Sequence, residues 1–198
     1  MSLVNGSLHV IGAFYVFAGI VGARAAVVGQ TIDRMVAALD RAVEGESGGP
    51  EPAAAKRITG GQTAAERASR VRGAWMLAGS LAVLIAGATL LLRLGWACAA
   101  FPAAALLQAV YLFYLAPVHL DTADPIDAEG RRQTSNAFGL FCLATLYVVW
   151  AGLSGHLLPI AAARPEAVGV VALLCTGFIG YTLWSYARPL PSDGDDPR

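Results

Sequence analysis

The sequence predicts an all-α fold: a polytopic transmembrane bundle of five helical spans, forming one integral membrane domain over residues 1–198. Hydrophobic residues make up 56% of the chain and charged residues only 14%. The mean hydropathy of +0.57 lies well above the range usual for soluble proteins. The apolar residues are also gathered in blocks, and a helix of roughly 20 residues crosses a hydrocarbon core of about 30 Å. The blocks do not alternate as β-barrel strands do, so helices are the expected spanning structure.

Residues 8–29 form the first predicted span, in which Arg24 is the only charged residue. A cleaved signal peptide is the alternative interpretation, because "GARAA" resembles a small-residue cleavage site. No basic segment precedes the apolar block, however, and the block continues past that site as "AAVVG". We therefore expect the span to be retained, with the Arg24 side chain extended toward the membrane interface.

Residues 30–72 are predicted to form a cytoplasmic loop with two helical arms. In the first arm, 30–44, apolar residues recur at helical spacing: Ile32, Met35, Val36, Leu39 and Val43. The stretch 45–62 is rich in Gly, Pro and Ala and predicts a flexible tip. "TAAE", residues 63–66, has the pattern of a capping box and predicts the start of the second arm, 63–72. The sequence does not distinguish whether the arms pack together, bind a partner or lie on the inner leaflet.

The remaining four spans are predicted over residues 74–93, 96–117, 136–158 and 167–187, followed by a polar C-terminal tail, 188–198. Only "RLGW" separates the second and third spans. Arg93 and Gly95 in this short segment indicate a tight helical hairpin.

The distribution of basic residues predicts the orientation, because Lys and Arg are enriched in short cytoplasmic loops. With the N-terminus outside and the C-terminus in the cytoplasm, twelve of the fourteen basic residues are cytoplasmic, and only Arg93 and Arg164 are outside. The twelve are Arg24, Arg34, Arg41, Lys56, Arg57, Arg67, Arg70, Arg72, Arg131, Arg132, Arg188 and Arg198. The high arginine and alanine content is typical of a GC-rich bacterial genome. We therefore expect a multi-pass protein of the cell inner (cytoplasmic) membrane.

A polar island at residues 119–138 carries four acidic side chains that could provide oxygen ligands for Mg²⁺ or Ca²⁺, or contact a partner: Asp121, Asp124, Asp127 and Glu129. Their spacing is not that of an EF-hand loop. Asp124 followed by Pro125 and Asp127 is instead typical of a helix start, where carboxylates face the positive end of the helix dipole. The helix start is the favoured interpretation.

Within the predicted spans, polar side chains are few, and no Asp, Glu or Lys lies in the middle of a span. This argues against a proton-driven pump. The polar residues Gln108, Tyr111, Tyr147 and Tyr181 are typical of hydrogen bonds between membrane helices. The alternative interpretation is a polar seam through which a small solute passes.

The histidines provide a further hypothesis, because the predicted topology puts His9 and His156 at the same outer face, with Cys98 at similar depth. Two imidazoles could bind haem iron, and an added thiolate could bind copper or zinc. No HxxxH or CxxC spacing supports such a site. Polar tips at the headgroups are the favoured interpretation, and we expect no cofactor.

The sequence contains no GxSxG, HExxH, Walker A or dinucleotide-binding motif, which favours a non-enzymatic role. Acidic and basic residues nearly balance in the first loop, so nucleic acid is not an expected partner. The predicted function is an accessory or scaffolding component whose partners are the lipid bilayer and either another membrane protein or a second copy. The alternatives are a small-solute carrier or channel, and a haem- or metal-binding redox protein.

Overall fold

A computed structural model describes residues 3–46, 53–120, 128–159 and 162–188. Five α-helices follow one another: α1 (Leu3–Glu46), α2 (Ala53–Leu91), α3 (Ala97–Val110), α4 (Ala128–Leu153) and α5 (Pro165–Ala187). A π-helical segment, Tyr111–Leu120, continues α3. Each of the five helical units contains a segment long and apolar enough to cross a membrane. The predicted all-helical class and the number of such helices are confirmed.

The two ends of the bundle differ. The hairpin end carries the short connections 92–96 and 154–164, and the arm end is the opposite one, from which α1 and α2 project. At 1.5 Å per residue, the 44 residues of α1 extend about 66 Å. The 23 residues of α5 extend only about 35 Å. We call the parts of the bundle next to these ends the hairpin half and the arm half.

Helices α1 and α2 pack closely from the hairpin half to the level of the middle of the bundle, and at three positions an added side chain would meet the backbone of the other helix. A Cβ atom added to Gly12 would lie 2.9 Å from the backbone nitrogen of Leu91. One added to Gly87 would lie 2.6 Å from the backbone nitrogen of Val16, and one on Gly19 would lie 2.7 Å from that of Leu84. Small residues that let backbones approach are the usual basis of helix association in lipid, where dispersion contacts replace the hydrophobic effect.

An aromatic cluster joins this helix pair to α3 and α4. Tyr15 of α1 makes edge-to-face contacts with Phe101 of α3 and Phe141 of α4, with ring centroids 5.5 and 5.0 Å apart. Phe101 and Phe141 stack with their centroids 5.6 Å apart. Leu8, Leu90 and Val148 are fully buried toward the hairpin end of the same core. These rings therefore fix α1, α3 and α4 to one another.

The hairpin end is closed by backbone hydrogen bonds between its two connections. Gly95 N–H donates to the Leu158 carbonyl at 2.9 Å, and Leu158 N–H donates to the Arg93 carbonyl at 2.7 Å. Arg93 has a φ of 54°, which ends α2 abruptly and confirms the predicted hairpin. The predicted fourth span, 136–158, was too long, because α4 ends at Leu153 and Gly155 adopts a left-handed φ of 75°.

Helix α5 packs on α1 and α2 mainly at the arm end, and Thr182 is its one buried residue. The Arg34 guanidinium donates to the carbonyls of Arg188 and Tyr186 at 2.9 and 3.1 Å. The Ser69 hydroxyl donates to the Asp33 carboxylate and ties the two arms together at their base. These polar contacts place the C-terminal end of α5 level with the start of both arms.

The predicted boundaries of the arms were partly wrong. Helix α1 runs to Glu46, and α2 already begins at Ala53, so 53–62 is helical instead of being part of a flexible tip. The "TAAE" pattern at 63–66 therefore lies inside a helix and does not start one. Each helical glycine costs about 1 kcal/mol relative to alanine. The residues around "GG" are mostly good helix formers, namely alanines, Lys56, Arg57 and a glutamine. Residues 47–52 and the tail from 189 onward lie outside the described residues.

Candidate functional site

A cavity of about 380 Å³ lies in the arm half, between α1 and α2 on one side and the α3–π segment and α4 on the other. It forms because α4 leaves the bundle toward this end. The buried residues of α4 begin at Phe141, whereas residues 131–137 are all exposed. Three of the wall positions are also small: Ala18, Gly79 and Ala137. The separation of α4 and these short side chains together leave the space unfilled.

The cavity walls are apolar and aromatic, and none of the lining residues is charged. Six of them are aromatic: Phe14, Tyr15, Trp75, Tyr111, Phe138 and Phe141. The rim residues Phe14, Met76 and Leu140 are exposed by half or more of their surface. The cavity is therefore open along the side of the bundle, at the level of the apolar helical segments.

A few polar groups line this apolar space. The hydroxyls of Ser80 and Thr134 donate to carbonyls of their own helices, those of Met76 and Gly130, at 2.8 and 2.9 Å. Within the described ranges, the Gln108 side-chain amide forms no hydrogen bond. The indole nitrogen of Trp75 is buried and has no hydrogen-bond acceptor among the described residues. The Gln108 amide is thus a polar group of the cavity whose hydrogen-bonding capacity is unused, whereas the Trp75 nitrogen is enclosed by protein.

The predicted polar seam is only half assembled. Gln108 and Tyr111 both line the cavity, one helical turn apart. Tyr147 lies elsewhere, where its hydroxyl is 2.6 Å from that of Ser7 near the hairpin end. Tyr181 is exposed on α5, with its ring next to Trp184. The four residues therefore do not form one path through the bundle. The sequence does not show how each helix is rotated about its axis, so it could not predict this separation.

His9, His156 and Cys98 all belong to the hairpin half, but His9 and Cys98 have separate local partners, and the His156 ring lies near Trp150. His9 Nδ1 lies 2.7 Å from the Asn5 carbonyl, one turn earlier in α1. Cys98 packs against Gly152, where an added Cβ would overlap its sulfur, and its thiol donates to the Val148 carbonyl at 3.7 Å. Among the described residues, no three His, Cys, Asp or Glu side chains are grouped closely enough to hold a metal ion. His9, His156 and Cys98 are thus not grouped as three ligands of one metal ion. Haem binding by the two histidines alone stays a prediction.

The acidic island is described only in part. Asp121, Asp124 and Asp127 lie outside the described residues. Glu129 is exposed in the first turn of α4, which begins at Ala128. A carboxylate at that position faces the positive end of the helix dipole, as the helix-start interpretation expects.

Comparison with known proteins gives no further guide to the site. No protein family model matches the chain, and neither a curated protein nor a solved structure matches it. Sequence reasoning selected Gln108 and Tyr111 because they are polar residues inside an apolar segment. It missed Trp75, whose role depends on which helices surround it, and no spacing in the sequence indicates that arrangement.

Proposed function

We propose that the protein is a multi-pass protein of a bacterial inner membrane, with the N-terminus outside and both arms in the cytoplasm. The distribution of arginines between the two ends supports this orientation. Arg93 and Arg164 lie within the two connections at the hairpin end. Described arginines at the arm end are Arg34, Arg67, Arg70, Arg72, Arg131, Arg132 and Arg188. The end richer in positive charge is the one expected to stay in the cytoplasm.

Its role in this proposal is that of a non-enzymatic accessory or scaffolding component, which binds a partner protein through the first arm. The observation that carries the proposal is an apolar stripe on α1, formed by Ile32, Met35, Val36 and Leu39. These side chains are 54%, 55%, 54% and 68% exposed. Their spacing of three and four residues puts them on one face of the helix over two turns.

The rest of the molecule does not cover this stripe, because the opposite face of α1 makes the internal contacts. Asp33 accepts a hydrogen bond from Ser69 of α2, and Arg34 binds the C-terminal end of α5. The stripe points away from both helices. An exposed apolar face of this kind is a typical binding surface for an amphipathic helix of another protein.

Binding to the lipid surface is less compatible with the shape of α1. The helix runs from Leu3 to Glu46 without interruption and contains no proline, the residue that most often kinks a helix. Since its N-terminal part is the first spanning segment, the arm continues out of the membrane along nearly the same axis. A helix in that direction cannot place the two turns that carry the apolar stripe flat on the lipid headgroups.

The test is co-purification of the full-length protein in mild detergent with Leu39→Glu. We expect the charged variant to lose a partner that wild type retains, because a carboxylate would be buried in the apolar contact. Ala38→Glu is the matched control, since it adds the same charge to the neighbouring exposed position, off the stripe. A partner that stays bound to Leu39→Glu, or a wild-type protein that always emerges alone, contradicts the proposal. Cross-linking of two differently tagged copies identifies a second copy of this chain as the partner.

A further inference from the structure

The cavity in the arm half has the properties of a site for a small neutral ligand. Its volume of about 380 Å³ falls within the range usual for ligand pockets, about 300–1,000 Å³. Such pockets combine mostly apolar walls with a few placed polar groups. No charged side chain lines this one. A carboxylate or phosphate ligand would therefore meet no counter-charge, which favours an uncharged molecule.

Gln108 indicates the polar chemistry of that molecule. It is the twelfth residue of the 22-residue apolar segment Ala97–Val118, far from either end, where little water is available. Its amide lines the cavity and forms no hydrogen bond within the described ranges. A polar group left unpaired in an apolar layer is unfavourable, so a ligand that pairs with it is bound preferentially.

Trp75 lies on the opposite wall and contributes its ring, because its indole nitrogen is enclosed by protein and does not face the space. The Gln108 amide offers two donors and one acceptor oxygen. Its donors pair with acceptor oxygens of a ligand, as a carbonyl provides.

The remaining walls define the shape of the ligand. Aromatic side chains from α1, α2, the π-helical segment and α4 surround the space, including Phe14, Trp75 and Phe138. Aromatic walls favour a flat ring that makes offset-stacked or edge-to-face contacts. The exposed rim opens along the side of the bundle, so a lipophilic molecule enters directly from the bilayer.

We propose that this cavity binds a neutral, ring-bearing lipophile with carbonyl oxygens, of the quinone class. The Gln108 amide donates a hydrogen bond to one carbonyl, and the aromatic side chains contact the ring. The proposal is independent of the partner-binding role of α1, because the cavity and the apolar stripe share no residue.

The test uses the purified full-length protein and a 1,4-naphthoquinone with a short isoprenyl tail as the probe. Binding is followed by quenching of tryptophan fluorescence and by the quinone retained per protein after gel filtration. We expect saturable binding that weakens about tenfold in Gln108→Leu, which corresponds to the loss of one hydrogen bond. Gln133→Leu is the matched control, because it removes an exposed amide from α4 outside the cavity, and its affinity should equal that of wild type.

A second variant fills the site without touching Gln108. Nothing lies within 4 Å of a Cβ placed on Gly79, so Gly79→Leu should fold and occupy the cavity, abolishing binding. Gly177→Leu, at an equally open position on α5, should bind like wild type. Absence of saturable quinone binding to wild type overturns the proposal. Unchanged affinity in both Gln108→Leu and Gly79→Leu does so as well, as does equal binding of an alkane of the same length.

Discussion

The hairpin half and the arm half of the bundle are built from the same four helices but are packed differently. In the hairpin half, Gly12 and Gly87 bring α1 and α2 into backbone contact, and Phe101 is fully buried between its neighbours. In the arm half, the corresponding part of α4 is exposed, and a cavity remains between the helices. We therefore expect the hairpin half to hold the helices in place. The proposed binding surfaces both lie in the arm half.

The largest expected effect comes from the same substitution made in each half of α2. In Gly87→Ala, the new Cβ lies 2.6 Å from a backbone nitrogen of α1, which has no freedom to move aside. We expect a loss of about 3 kcal/mol or more in the free energy of unfolding. In Gly79→Ala, the Cβ meets nothing within 4 Å, and better helix propensity should add up to about 1 kcal/mol.

The measurement is the midpoint of thermal unfolding in detergent for both variants. Opposite signs, with Gly87→Ala below wild type and Gly79→Ala at or above it, are the expected result. If the two variants unfold at the same temperature, the close packing of α1 on α2 does not determine stability, and the contrast between the halves loses its main support.

The next effect concerns aromatic side chains in the two halves. Phe101→Ala removes a fully buried ring that contacts Tyr15 and Phe141. In soluble proteins such a change costs about 3–5 kcal/mol. Here we expect about 2–3 kcal/mol, because lipid is as apolar as the protein core and only the lost packing counts. Phe113→Ala is the control, since that ring is 67% exposed.

Unfolding by denaturant in mixed micelles measures the difference between these two variants. A much larger loss for Phe101→Ala than for Phe113→Ala is expected. Equal losses would mean that the aromatic cluster contributes no more to stability than a ring on the outer surface.

Most of the fold was predictable because transmembrane helices are recognised from a local property, the length of an apolar block. The hairpin around Arg93 was predictable for the same reason, since "RLGW" is long enough only for a tight turn between two apolar blocks. The start of α2 at Ala53 was not. A segment with two adjacent glycines is typical of a linker. Here good helix formers lie on both sides of the glycines, and the helix continues through them.

The candidate site was predictable only in part, because it depends on how the helices are rotated against each other. Gln108 and Tyr111 stand out in sequence as polar residues within an apolar span, and both line the cavity. Tyr147 and Tyr181 stand out equally, yet one lies near the hairpin end and the other on the outside of α5. Hydropathy shows that a residue is in a span, but it does not show which neighbour the residue faces.

The smallest expected effect tests an interhelical hydrogen bond formed by Tyr147, a residue of the predicted seam. The hydroxyls of Ser7 and Tyr147 lie 2.6 Å apart and join α1 to α4 in the hairpin half. Such bonds between membrane helices contribute about 0.6 kcal/mol on average. A double-mutant cycle with Ser7→Ala and Tyr147→Phe should give a coupling energy of that size, measured from the free energies of unfolding.

Quinone affinity should stay unchanged in Tyr147→Phe, because the residue is outside the cavity. A coupling energy of zero together with weakened quinone binding would instead place Tyr147 in a seam with Gln108, and the boundary between the two halves would have to be redrawn.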